Sequence, residues 1–291
     1  MLSSGTEATE AAVNIMRIAS KKNPILSFWG AMHGKTMLAE QLKGDFTWAS
    51  RDCGLNHLDF PKIDDEFVPY FASNVAGNLA GIIIESYRGW DAAFYPKKYI
   101  QDLCKWAKEN KVLVCFDEIQ GGFGRTGKMF AYEHYDIPKP DLVCVGKGMT
   151  SSVPMSGVLG SKELLDLPDD LSSTHSANPL CCAAGLANLQ EIKKILPTIK
   201  KKEKILFDFL NEYFKPEFIN GKGLIAAILT GTSKFATDVC FEAMSRGLLL
   251  IKTDKPSIKI APPLTIPEDV FCEGLDILMD SFDEVWHGQR I

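Results

Sequence analysis

Three short runs, LAGIIIE (79–85), VLVCFDE (112–118) and LVCVG (142–146), are apolar almost without interruption, and each leads straight to a charged residue. A strand with one face in water alternates apolar and polar side chains, whereas a strand covered on both faces has no such need. Runs of this kind therefore predict a mostly parallel sheet with helices on both faces, an α/β domain. ILSFWG (25–30) and MSGVLG (155–160) read as two more strands. Between the strands lie helical patterns. Ser4 to Glu7 has the S-x-x-E spacing of a capping box, and Ala8, Ala11, Ala12, Ile15 and Ile18 then fall on one face. YIQDLCKWAKEN (99–110) is amphipathic, and Asn178 to Leu196 is helical up to Pro197. The stretch from His33 to Asp65 reads as irregular.

Beyond Pro197 the pattern changes. Lys200, Lys201, Lys202 and Lys204 read as a solvated helix face with Leu206 and Phe207 turned inward. Short strands follow in GLIAAIL (223–229), GLLLI (247–251) and SIKIAPPL (257–264), with a helix through Glu242 to Arg246 and another from Pro267. The expected organisation is a large domain over 1–197 and a smaller α+β domain over 198–291.

Composition narrows the function. With 46% hydrophobic residues the chain can build a sizeable core, and a net charge of −5 argues against general nucleic-acid binding. No run approaches the length of a membrane span. The eight cysteines include no C-x-x-C pair and mostly sit in apolar runs, as small core residues of a reducing cytoplasm. Five scattered histidines make a histidine-based metal site unattractive.

In open α/β sheets ligands bind outside the carboxyl ends of the strands. Glu85, Asp117, Lys147 and the segment around His33 all fall at such ends. Lys147, between Gly146 and Gly148, reads in isolation as a surface turn. At the end of a buried strand it reads instead as an amine that desolvation would make nucleophilic.

Two motifs do not survive inspection. GFGRTG (122–127) matches G-x-G-x-x-G, but a pyrophosphate there would meet Asp117 and Glu118, and no βαβ unit with a ribose-binding acid follows. Gly146-Lys147 continues with glycine and lacks the Ser/Thr and spacing of a P-loop. Pyridoxal phosphate fits better. It needs an amine for a Schiff base, a carboxylate beside the pyridine nitrogen and an anion site. Lys147 and Asp117 supply the first two. Ser3-Ser4-Gly5-Thr6 opens a helix whose N–H groups and dipole suit a phosphate, while Ser4 and Thr6 equally suit an ordinary N-cap.

The stretches SGTEATEAA (4–12), GAMHGKT (30–36), IIIE (82–85), FDEIQGGFGRTGKMFAYEH (116–134), PDLVCVGKGM (140–149), PMSGVLG (154–160), STHSANPLCCAA (173–184) and KIAPPLTI (259–266) then stand in an informative order. Together, over essentially the whole chain, they resemble the class III aminotransferases, the ornithine/acetylornithine/4-aminobutyrate group of fold type I pyridoxal-phosphate enzymes. The resemblance implies a transaminase moving an amino group from an amine or amino-acid donor to a carbonyl acceptor. Lys147 would form the Schiff base and shuttle the proton, and Asp117 would pair with the pyridinium. Gln120 would bond the phenolate oxygen, Ile119 would pack on the ring, and Ser4, Gly5 and Thr6 would hold the phosphate. Glu85 would be a further pocket carboxylate. Thr174 would reach the phosphate of a neighbouring subunit, which implies a homodimer, and His175 beside it could approach the cofactor's edge. His33 reads as a structural hydrogen-bonder in its turn, and Arg125 as an architectural salt-bridge residue.

This chain departs from that pattern in four places. Met32 stands where the family has an aromatic on the cofactor ring. Lys259 replaces the arginine that grips a substrate carboxylate, keeping the charge and losing the bidentate fork. The family's E-P-x-x-G-E becomes ESYRGWD (85–91), with Ser86 for proline and Trp90 for the second glutamate; Arg88 and Trp90 either line a reshaped pocket or simply pack the loop. The chain also opens almost at the phosphate-loop motif, before which the family carries a further segment. The expectation is an N-terminally truncated chain with weakened cofactor retention, a second chain supplying the segment, or an inactive or split-enzyme subunit. Aminomutases, racemases and decarboxylases of the same fold share the cofactor residues and remain the alternative chemistry.

Overall fold

The computed structural model describes residues 1–44, 54–59, 61–62, 65–67, 76–167, 171, 173–253 and 255–288. The chain divides into two compact units. The first comprises 1–88, 95–123 and 130–192; the second comprises 89–94, 124–129 and 193–291.

In the first unit α1 (Gly5–Ser20) begins on the expected capping box: Glu7 N–H donates to Ser4 Oγ (3.3 Å), and Glu7 Oε2 accepts from Ser4 N–H (2.6 Å). Lys21, in the left-handed region, ends the helix. The strands are β1 (Ile25–Phe28), β2 (Leu55–Leu58), β3 (Gly81–Glu85), β4 (Leu113–Asp117), β5 (Leu142–Val145) and β6 (Gly157–Gly160). They form one sheet in the order β2-β1-β3-β4-β5-β6, parallel except for β5 with β6. The region expected to be irregular thus contains β2, paired with β1, and the short α2 (Met37–Gln41). The strand order reverses direction between β1 and β3, the kind of crevice where ligands bind in such sheets.

Both faces of the sheet are covered, as the uninterrupted apolar runs demanded. Ala8, Ala11, Ala12, Ile15 and Met16 of α1 pack on Ile25, Ile83, Cys115, Leu142 and Cys144. Three alanines let the helix axis approach closely, and at Gly81 a Cβ would stand 2.3 Å from Met16 Sδ. Ile18, expected inward, lies just outside the buried arc and is 46% exposed. The other face carries aromatics: Phe28 against Tyr95 (centroids 5.0 Å apart), and Phe116 against Tyr132 (5.7 Å) and Tyr135 (6.4 Å). There α3 (Lys97–Glu109) buries Tyr99, Ile100, Leu103 and Trp106. A short α4 (Lys162–Leu165) follows β6. In α5 (Pro179–Ile195) only Gly185 and Ile192 are buried, and the chain passes to the second unit within it.

The second unit holds an antiparallel sheet of β7 (Ile219–Lys222), β8 (Ile225–Leu229), β9 (Ile251–Lys252) and β10 (Ser257–Ile260), ordered β7-β8-β10-β9. One face packs against α6 (Ile199–Tyr213), α7 (Ser233–Ser245) and α8 (Glu268–Gly288), with Leu206, Val239 and Leu275 at the centre. Leu206 is fully buried and Phe207 packs at the margin of this core, as the lysine-rich run implied. GLLLI gives only the two-residue β9, and Leu249 is 82% exposed. Arg125, expected to form an architectural salt bridge, donates from Nη1 to the backbone carbonyls of Leu224 (2.8 Å) and Pro262 (2.6 Å). No helix among the described residues is long and apolar enough to cross a membrane.

Candidate active site

The carboxyl ends of β1, β3, β4 and β5 converge on one narrow pocket lined by Met32, Glu85, Ser86, Tyr87, Asp117, Ile119, Gln120, Gly121 and Lys147. Residues from four separate stretches of sequence thus share a wall, because parallel strands deliver all their ends to the same edge.

Asp117 is the most constrained of them. It is 5% exposed; its Oδ1 accepts the Ile119 N–H (3.0 Å), and its Oδ2 lies 2.8 Å from His33 Nδ1. A carboxylate only accepts, so the proton of this contact sits on Nδ1, and His33 Nε2 lies 3.3 Å from the Ser27 hydroxyl. The backbone of His33 is tied in turn to α1, where Thr9 Oγ1 donates to the His33 carbonyl (2.8 Å). His33 is a structural hydrogen-bonder, as expected, and what it orders is Asp117. Glu85, the register partner of Asp117, is 6% exposed and accepts the Met32 N–H (2.9 Å).

Lys147 shares the pocket with Asp117, but its burial differs from expectation. β5 ends at Val145, and the chain turns out at once into a single 3₁₀ turn over Lys147–Met149. Lys147 is exposed, so the desolvation expected of a strand-end position is not present. Its backbone has a φ of +31°, on the positive side where a non-glycine side chain carries a steric cost. Asn188 of α5 holds this turn through Nδ2 contacts to the carbonyls of Gly148 (2.7 Å) and Met149 (3.1 Å). Sequence reasoning missed Asn188; the signal was a lone amide among the small and apolar residues of LCCAAGLANL (180–189).

At the start of α1, Ser4 Oγ is occupied as a helix cap, and Thr6 Oγ1 accepts the Lys35 N–H (3.2 Å). The N–H groups of Gly5 and Thr6 have no hydrogen-bond partner among the described residues. A Cβ at Gly5 would meet Ile119 Cδ1 at 2.9 Å, so the absence of a side chain there lets the positive end of the helix reach the pocket lining. Gln120 Oε1 is buried and likewise lacks a partner among the described residues. Thr174 and His175 lie in an exposed turn outside this pocket. In the second unit, Lys259 is 6% exposed and donates from Nζ to Gly89 O (2.7 Å), while Trp90 O accepts from Ser257 Oγ (2.9 Å).

Glu118 also went unassigned in the sequence. It is fully buried behind the pocket, accepts the N–H groups of Ala131 (2.9 Å) and Tyr132 (2.7 Å) and the Ser86 hydroxyl, and is pushed up to about 7, chiefly by burial. Burial also raises the Tyr95 phenol well above its ordinary value, with the Glu85 charge adding to the effect.

Known proteins resemble this chain in sequence and fold. The family model described as "Aminotransferase class-III" covers residues 1–282. A probable 4-aminobutyrate aminotransferase of Bacillus subtilis (strain 168) is 31% identical over 319 residues, 95% of this chain and 73% of the relative. The 4-aminobutyrate aminotransferase of Mycobacterium leprae (strain TN) is 29% identical over 321 residues, 96% of this chain and 71% of the relative. Among solved structures, the taurine:2-oxoglutarate aminotransferase of Bifidobacterium kashiwanohense, in complex with pyridoxal phosphate and glutamate, superposes with a TM-score of 0.86 at 25% identity, over 98% of this chain and 74% of that one. The sheet order, the converging strand ends and these likenesses agree: the chain belongs to the class III aminotransferases, a pyridoxal-phosphate-dependent family.

Proposed function

We propose that the pocket at the strand ends binds pyridoxal phosphate and that Lys147 and Asp117 carry the amino transfer there. The observation that carries this reading is that both line one pocket, with Asp117 fixed by His33 and Ile119. The residues present fit the group. A buried carboxylate suits a protonated ring nitrogen. The unpartnered N–H groups of Gly5 and Thr6, at a helix N-terminus, suit a phosphate. Gln120's orphaned amide oxygen is relieved if the amide turns end for end, which offers its N–H to an acceptor such as a phenolate oxygen.

When bound, pyridoxal phosphate supplies an electron sink for the carbanion left when a donor's Cα–H bond breaks. Asp117, held by His33, would keep the proton on the ring nitrogen. Lys147 would hold the aldehyde end of the group and would take and return the donor's Cα proton through its Nζ. Ile119 and Met32 line the pocket and would pack against the ring, with Met32 fixed by its backbone N–H to Glu85. Ser4 caps the helix that presents Gly5 and Thr6. The resemblance alone assigns Lys259 and Trp90 to the substrate.

A homodimer completes this reading, with Thr174 facing the phosphate of the second copy. Leu180 (71% exposed) and Leu186 (66%) on α5 support such an interface. The seven described cysteines are free, which accords with a reducing, cytoplasmic setting.

The test is direct. The purified protein, titrated with pyridoxal phosphate, is expected to develop a visible absorption band that Lys147→Ala abolishes. Amino donors are then screened against pyruvate and 2-oxoglutarate, with the products identified. Absence of a carbonyl product from every donor would sink the transaminase reading of this site and favour a mutase or racemase.

A further inference from the structure

Asp117 and Glu118 are consecutive but face opposite sides of β4. Asp117 continues the Cys115 side, towards α1, and Glu118 the Phe116 side, among the aromatics. Glu118 Oε1 takes the Ser86 hydroxyl and the Tyr132 N–H (2.7 Å), and Oε2 takes the Ala131 N–H (2.9 Å). Ser86 is gripped from its other end, since Tyr135 Oη donates to the Ser86 carbonyl (2.6 Å) and accepts the Tyr95 N–H (3.2 Å). The turn after Glu118 closes over its own carboxylate: Gly122 N–H donates to Glu118 O (2.9 Å), and a Cβ at Gly121 would come within 2.9 Å of Glu118 Oε2.

This network lies directly behind pocket residues. Ser86, Gln120 and Gly121 line the pocket in front, and Glu118 joins them from behind. Position 86 is where the resemblance expects proline, which has no hydroxyl to give. This chain therefore adds a donor to a buried carboxylate at the seam between the ends of β3 and β4.

We propose that Ser86 and Glu118 form a latch that positions the Gln120–Gly121 turn, and with it the end of β4 that carries Asp117, against the cofactor. The inference rests on the assignment of this pocket to pyridoxal phosphate. A buried carboxylate that loses a donor cannot turn to water for a replacement. The turn must then shift, and the shift reaches Gln120. Both are positioning residues, acting through Gln120 and Asp117.

The experiment titrates the apo protein with pyridoxal phosphate and records the visible spectrum of the bound cofactor. Wild type, Ser86→Ala, Ser86→Thr, Glu118→Gln and the Ser86→Ala/Glu118→Gln double variant are compared, with melting temperature as a control. Ser86→Ala and Glu118→Gln are each expected to weaken binding about tenfold, with an altered band, and the double variant to be little worse than either. Ser86→Thr keeps the hydroxyl and is expected to restore wild-type binding. Variants that bind with wild-type affinity and an unchanged spectrum, whatever their melting temperature, overturn the latch while leaving the pocket assignment intact. A wild-type protein that takes up no pyridoxal phosphate overturns both.

Discussion

His33 Nδ1 stands 2.8 Å from Asp117 Oδ2, although 84 residues separate the two in the chain. The ring is 2% exposed and anchored at its far nitrogen by Ser27, so it holds the carboxylate in one orientation. Replacing His33 by alanine leaves Asp117 Oδ2 without this donor in a dry environment. The expected cost is about 1–3 kcal/mol of stability, together with roughly tenfold weaker binding of pyridoxal phosphate. Chemical denaturation and cofactor titration check the two effects separately, and wild-type cofactor affinity in His33→Ala would remove His33 from the site.

Lys147 separates chemistry from stability. Because its side chain is exposed, Lys147→Ala is expected to change stability by no more than about 0.5 kcal/mol. Amino transfer and the lysine-dependent visible band should nevertheless be lost. Equal melting curves with no turnover is the expected pair of results. Retained turnover would show that another amine does the work.

Much of this architecture was legible in the sequence. The unbroken runs of β3, β4 and β5 announced a sheet covered on both faces, and the capping box fixed the start of α1. β2 was not legible, because LNHL (55–58) is half-polar and only its pairing with β1 makes it a strand. GLLLI misled in the opposite direction: the apolar run leaves Leu249 in solvent. Of the pocket lining, Asp117 and Lys147 were readable from residue type at strand ends, and Gln120 only through the family resemblance. The contacts of His33 with Asp117 and of Asn188 with the Lys147 turn were not, since tertiary hydrogen bonds between distant polar residues leave no periodic trace. Lys147's exposure was missed because the outward turn after β5 depends on a φ of +31° that the residue type does not announce.

Gly5 tests the approach of α1 to the pocket. A methyl group there would press on Ile119 Cδ1 at 2.9 Å, moving either the helix end or a pocket wall. Gly5→Ala is expected to weaken pyridoxal phosphate binding about tenfold and to cost roughly 1–3 kcal/mol of stability through overpacking. Shortening Ile119 to valine in the same protein removes Cδ1 and should recover part of both losses. A double variant no better than Gly5→Ala would place the damage elsewhere.

Glu118 gives stability a pH dependence of predictable sign. Burial raises its folded-state value to about 7 from an ordinary 4.5. Between those values the folded chain binds a proton that the unfolded chain has released, so stability falls as pH rises through this window. The shift corresponds to roughly 3 kcal/mol at most, lost between about pH 4.5 and 7 and flat above. Glu118→Gln cannot titrate, so the wild-type minus variant difference isolates the effect. Unfolding free energies of both proteins between pH 5 and 8 should show the wild type losing its relative advantage as pH rises. A flat difference would mean that the three donors facing the carboxylate outweigh its burial and keep it ionised throughout.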